Sequence, residues 1–160
     1  MPSPKRTRVR ASALLVLLVS LFGSLAVSTP AQAAGSWRSQ VPAEASKHRG
    51  NPYQYGAAGP TRFDCSGFTM YVYRRFGKSL PHNAARQYSV MHHVAKTQKT
   101  PGDLLFFRNS SGRISHVAIY AGLSRARSTL NKPMMWHAPH TGDVVKLVPI
   151  YSSNYLVGRL

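Results

Sequence analysis

The stretch Phe63-Asp64-Cys65-Ser66-Gly67-Phe68 decides how this chain is read. Asp64 is a good helix cap, because its short carboxylate accepts backbone N–H groups of the first turn. From Cys65 onward large side chains recur at intervals of three and four (Phe68, Tyr71, Val72, Arg75, Phe76), and Gly77 supplies a stop. The spacing predicts a helix that begins at the cysteine. Unpaired N–H groups and the helix dipole at such a start favour a thiolate over a thiol. Those same N–H groups can hold a developing oxyanion near the sulfur. A single cysteine also has a plainer reading, as an unpaired or intermolecularly bridged thiol. Its place at a capped helix start favours a nucleophile.

A nucleophilic thiol needs a base, and the base needs an orienting group. Ser115-His116-Val117-Ala118-Ile119-Tyr120 alternates as a strand, with His116, Ala118 and Tyr120 on the face opposite Val117 and Ile119. Met134-Met135-Trp136-His137-Ala138 is a second run, with Met135 and His137 on a common face. The connection from Ala121 to Pro133 reads as an exposed, basic loop. If the two runs pair antiparallel, His116 and His137 lie side by side, which suits a Cys65–His116–His137 triad. His137 then holds the imidazole of His116 in the productive tautomer. His48, His82, His92 and His93 read as ordinary core or surface histidines.

His140 suggests a competing arrangement, in which Cys65, His116, His137 and His140 ligate zinc. A zinc-finger pair comes as C-x-x-C with H-x-x-x-H, and a zincin pair needs a helix and a Glu. Pro139 forbids a regular helix through His137-Ala138-Pro139-His140, and no glutamate is nearby. Neither a metal nor another cofactor is expected.

Composition narrows the function classes further. The 160 residues carry 21 Lys plus Arg against 4 Asp plus Glu, a formal charge of +17. The acids are Glu44, Asp64, Asp103 and Asp143, too few and too scattered for a glycosidase pair or a calcium or two-metal site. One cysteine excludes a disulfide framework and any multi-cysteine metal site. Eight Tyr, six Phe and two Trp argue for a packed core rather than a basic tail.

Residues 1–33 read as a cleaved export signal. Lys5, Arg6, Arg8 and Arg10 precede the apolar run Ala13–Val19, and Ala31-Gln32-Ala33 is an A-x-A cleavage site. The apolar stretch is short for a membrane span and is interrupted by Ser20, Gly23, Ser24 and Ser28, so no transmembrane anchor is expected in the mature protein. Residues 34–160 form a single domain, expected to be monomeric, with 17 basic and 4 acidic side chains and a charge of +13. Outside a cell that field favours anionic wall polymers. The basic residues are dispersed, with no run of five, so no dedicated nucleic-acid site is expected.

Along the rest of the chain, residues 38–49 read as a short helix, and a second helix starts after Pro81 with Asn83 as cap and 84–90 as body. Strands are expected at Leu104–Phe107, Val117–Tyr120, Met134–Ala138, Val144–Val148 and Tyr155–Arg159. Helices first and strands afterwards indicate an α+β fold with an antiparallel sheet.

The ordered series Gly50-Asn51-Pro52-Tyr53-Gln54-Tyr55-Gly56, Phe63-Asp64-Cys65-Ser66-Gly67-Phe68, Leu80-Pro81, Gln87, Pro101-Gly102-Asp103-Leu104, His116-Val117-Ala118-Ile119-Tyr120 and His137-Ala138-Pro139 resembles the NlpC-type cell-wall cysteine peptidase family. The resemblance runs from about residue 40 to the C-terminus. It implies a papain-like α+β fold with N-terminal helices packed on the sheet. It also implies that Cys65 is the nucleophile, His116 the base and His137 the orienting member. Tyr53 is implied to line the site near the sulfur and Ser66 to touch substrate. The sequence departs from the family pattern at Tyr55, where Trp is usual, and at Gly56-Ala57, where paired glycines are usual.

The function so implied is a secreted peptidoglycan hydrolase, free or wall-associated. It would cleave the amide between D-γ-glutamyl and the diamino acid of stem peptides through an acyl-enzyme. The alternatives are an amidase, acyltransferase or antibacterial toxin on the same scaffold, or a non-catalytic basic binder of anionic wall polymers.

Overall fold

The computed structural model describes residues 30–160, with side chains from residue 37. The export signal expected over 1–33 therefore lies almost wholly outside the described residues.

Three helices precede most of the sheet. Helix α1 spans Pro30–Ser46, α2 Cys65–Arg74 and α3 Ala84–Ser89. The strands are β1 His92–Val94, β2 Leu104–Arg108, β3 Ile114–Leu123, β4 Pro133–His137, β5 Lys146–Pro149 and β6 Tyr155–Arg159. They form one six-stranded sheet in the order β1-β6-β2-β3-β4-β5, with every neighbouring pair antiparallel. This is the papain-like α+β arrangement that the resemblance implies. Helix α1 starts earlier than the pattern over 38–49 suggests, and it gives way to a turn over residues 47–50.

The sheet separates two apolar layers. Leu104, Phe106, Val117, Ile119 and Trp136 point to the helices and pack with Val41, Ala45, Phe68 and Val72. Leu105, Phe107, Ala118, Tyr120, Met135, Tyr155 and Val157 point the other way and form a second cluster. The period-2 alternation of β2 and β3 thus places apolar groups on both faces, as a sheet covered on both sides requires.

Helix α2 forms where the sequence indicates, because Asp64 Oδ1 accepts the Gly67 N–H at 2.7 Å. Its position is fixed by a close approach. A Cβ on Gly67 would lie 2.1 Å from the carbonyl oxygen of Ala57, so only glycine lets the helix rest on that loop. Gln87, fully buried on α3, ties the helices together: its amide donates to the carbonyls of Ser66 and Pro81 and accepts from Thr69 Oγ1. At the start of β2 Asp103, also fully buried, receives the Arg159 guanidinium at 2.8 and 2.7 Å and the Thr100 N–H at 2.7 Å.

The β3–β4 connection folds over itself through a Ser124–Thr129 hydroxyl pair and a short 3-10 turn at Arg127–Thr129. It sits at the end of the sheet away from His116 and His137. Among the described residues no helix is long and apolar enough to cross a membrane.

Candidate functional site

Cys65 opens α2 on the helix side of the sheet, half-buried against the main core. His116 and His137 come from the other face. The register sets His116 opposite Phe107, a member of the second cluster, and His137 lies two residues after Met135 of the same cluster. Pairing of Ile119 with Trp136 places His137 one step further along, opposite Ala118, so His116 and His137 are diagonal neighbours. Their rings meet as the alternation predicted: Nε2 of His116 stands 3.0 Å from Nδ1 of His137.

Cys65 and His116 wall one cleft beyond the end of β4. β3 runs on past its last pairing with β4, and the backbone N–H of Val117 is there directed at Cys65 Sγ. A cleft of about 340 Å³ is walled by Tyr53, Cys65, Ser115, His116, Pro139, His140 and Tyr151. Tyr53 is tied to the loop that follows His137, since its N–H donates to the Asp143 carbonyl at 2.8 Å.

Burial governs the electrostatics. It pushes the Cys65 thiol up, and the Asp64 charge adds to that; the N–H groups of Val117, Ser66 and Cys65 oppose it. The helix start alone suggested a stable thiolate, but desolvation, invisible in the sequence, works against it. Burial likewise brings His116 down to about 3, assisted by His137 and His140, and His137 down to about 4, assisted by Lys146. Burial thus favours the neutral form of both rings at ordinary pH. Tyr53 and Tyr151 are both pushed up, first by burial and then by the charge of Cys65, which places both phenols near the sulfur.

Of the residues singled out in the sequence, Cys65, His116 and Tyr53 share the cleft, and His137 backs His116. Ser66 is buried and its hydroxyl donates to Asp64 at 3.1 Å, so that group is engaged within the protein. His140 is exposed at the rim and pairs loosely with Asp143 at 3.7 Å. Among the described residues no group of three or more His, Cys, Asp or Glu is placed to hold a metal.

Two residues escaped the sequence reading. Tyr151 is 64% exposed and stacks on Phe107 with 5.4 Å between ring centres. His82, read as an ordinary histidine, lines the cavity beside Cys65 and bonds to Asp64. The Leu80-Pro81-His82 turn before a capped helix was the available signal.

The comparisons with known proteins point to one family. A family profile described as NlpC/P60 family matches residues 50–157. A probable endopeptidase p60 of Listeria grayi is 50% identical over 91 residues, 57% of this chain and 18% of that protein. A gamma-DL-glutamyl hydrolase of Bacillus subtilis is 42% identical over 85 residues, 51% of this chain and 21% of that protein. The chain thus spans about a fifth of the length of these curated relatives. The NlpC/p60 domain of the peptidoglycan hydrolase SagA superposes with a TM-score of 0.64 and 33% identity, covering 77% of this chain and 98% of that one.

Proposed function

The chain belongs to the NlpC/P60 family, and from that premise we propose that it is a cysteine peptidase that hydrolyses peptidoglycan stem peptides at the D-γ-glutamyl–diamino acid amide. The single observation that carries this reading is that His116, hydrogen-bonded from behind by His137, lines the same cleft as Cys65. The names of the relatives, an endopeptidase and a gamma-DL-glutamyl hydrolase, support the choice of bond.

The burial of both partners makes the resting pair uncharged. His116 donates its Nε2 proton in the hydrogen bond to His137 Nδ1, which leaves Nδ1 of His116 free to accept. The Cys65 proton passes to that nitrogen as the sulfur attacks the γ-carbonyl. The backbone N–H groups at the head of α2 and the Tyr53 hydroxyl stabilise the oxyanion. The His116 imidazolium then protonates the leaving amine, the C–N bond breaks, and a thioester remains. Water, deprotonated by His116, hydrolyses the thioester and regenerates the thiol.

The proton donor must stand beside the leaving nitrogen, so the cleft has a direction. The acyl half of the substrate lies toward Asp64 and His82, and the diamino acid toward His140, Tyr151 and Lys146. Residues 1–33 direct export, and their cleavage releases the protein outside the cell. There the charge of +13 on residues 34–160 draws it to anionic wall polymers.

Defined muropeptides incubated with wild type and Cys65→Ala test the proposal by mass spectrometry. Wild type should release the products of γ-glutamyl cleavage, and the variant should be slower by ~10³-fold or more. Equal product from both, or a transferred acyl group in place of a hydrolysed one, overturns it.

A further inference from the structure

Asp64 is placed in a conflict. As the cap of α2 its Oδ1 accepts from the Gly67 N–H and the Ser66 hydroxyl while Oδ2 accepts from the Gly56 N–H at 2.9 Å. Yet it is buried and immediately precedes the nucleophile, where a negative charge opposes ionisation of the sulfur. The other titratable groups facing Cys65 are Tyr53, Tyr151, His116 and His140. None of them is anionic at neutral pH. Among the described residues, Asp64 is therefore the one anion bearing on the sulfur.

His82 meets that anion directly. Its Nε2 lies 3.0 and 2.8 Å from the two oxygens of Asp64, so one ring N–H bridges the whole carboxylate. Its side chain remains 31% exposed. The residue stands just before the Asn83 cap of α3, and so it also joins the heads of the two helices.

We propose that His82 is a positioning residue that, as a cation, holds the Asp64 carboxylate and cancels its field at the Cys65 sulfur. Neutral His82 still supplies the hydrogen bond, but only the protonated ring offsets the charge. The reactivity of the sulfur is thereby coupled to a histidine outside the triad. The inference concerns the thiol itself and stands whatever bond the protein cleaves.

The test is the rate of Cys65 alkylation by iodoacetamide across the pH range, on the full chain. The chain has one cysteine, so the signal is unambiguous. His82→Gln keeps an N–H donor without charge, and His82→Arg keeps the charge without an imidazole. Over the pH range where the wild-type ring is charged, His82→Gln should react roughly three- to tenfold more slowly, because Asp64 is left uncompensated. His82→Arg should match or exceed wild type. A Gln curve superimposed on wild type, or an Arg variant as slow as Gln with an unchanged melting temperature, overturns the proposal. If either variant does not fold, NMR titration of the wild-type His82 ring decides. Its protonation should coincide with a step in the alkylation curve, and a ring that stays neutral wherever Cys65 reacts refutes the role.

Discussion

The imidazoles of His116 and His137 stand edge to face, with ring planes 75° apart and the hydrogen-bonded nitrogens at 3.0 Å. Two strands supply them from one face of the sheet, and neither ring can turn without breaking the contact. His137 is only 3% exposed and fixes the base from behind.

Removal of that support should cost catalysis. His137→Ala is expected to lower kcat by about 10²-fold or more, because the His116 ring loses its tautomer and orientation. His137→Asn keeps a side-chain acceptor and should recover part of the loss. His140→Ala, at the exposed rim, should lose far less than His137→Ala. Steady-state cleavage of one defined muropeptide distinguishes them, and a greater loss from His140→Ala would reassign the third member.

The same burial makes stability pH-dependent. Both rings have folded values depressed below 6.5, to about 3 and about 4, so the unfolded chain binds more protons than the folded one between those limits. Their contribution is fully present above about pH 6.5 and is lost as pH falls through that window. The melting temperature should therefore drop from pH 7 to pH 4. A His116→Asn/His137→Asn variant should show a flatter profile over that window.

Gly67→Ala should be destabilising far beyond its chemical size. The added methyl would meet the Ala57 carbonyl at 2.1 Å, and that carbonyl also accepts the Asp64 N–H. Displacement of α2 from the loop is expected to cost about 2 kcal/mol or more in denaturant unfolding, since overpacking of a rigid contact is not relieved locally. A ΔΔG near zero would mean that the loop moves freely.

Asp103→Ala should lower stability by about 2–3 kcal/mol without touching the cleft, because it strips a partly buried Arg159 of its partner and frees the Thr100 N–H. Unfolding in urea measures the cost. The Cys65 alkylation rate in the folded variant should stay at the wild-type value, and a large change would tie this corner to the site.

The parts of the site set by local rules were legible in the sequence. Asp64 and Asn83 cap α2 and α3 as their residue types indicate, and alternation along 115–120 and 134–138 put His116 and His137 on one face. What depended on distant packing was not legible. Strand β1, His92-His93-Val94, carries no apolar alternation and exists because β6 offers it an edge, with His93 opposite Gly158. The attachment of His82 to Asp64 joins segments 18 residues apart, and the Leu80-Pro81-His82 turn marks where α3 begins without naming that partner. Residues far along the chain, Ser115, His116, Pro139 and Tyr151, share the cleft of Cys65. That is why the helix-start argument gave the direction of one effect and missed the larger one.

The β3–β4 connection has a practical use. Strand directions place residues 124–132 at the pole opposite the two imidazoles, and the loop closes through its own hydroxyl pair and backbone bonds. A fluorophore or an affinity module grafted there would report on the protein while leaving the chemistry at the other pole undisturbed.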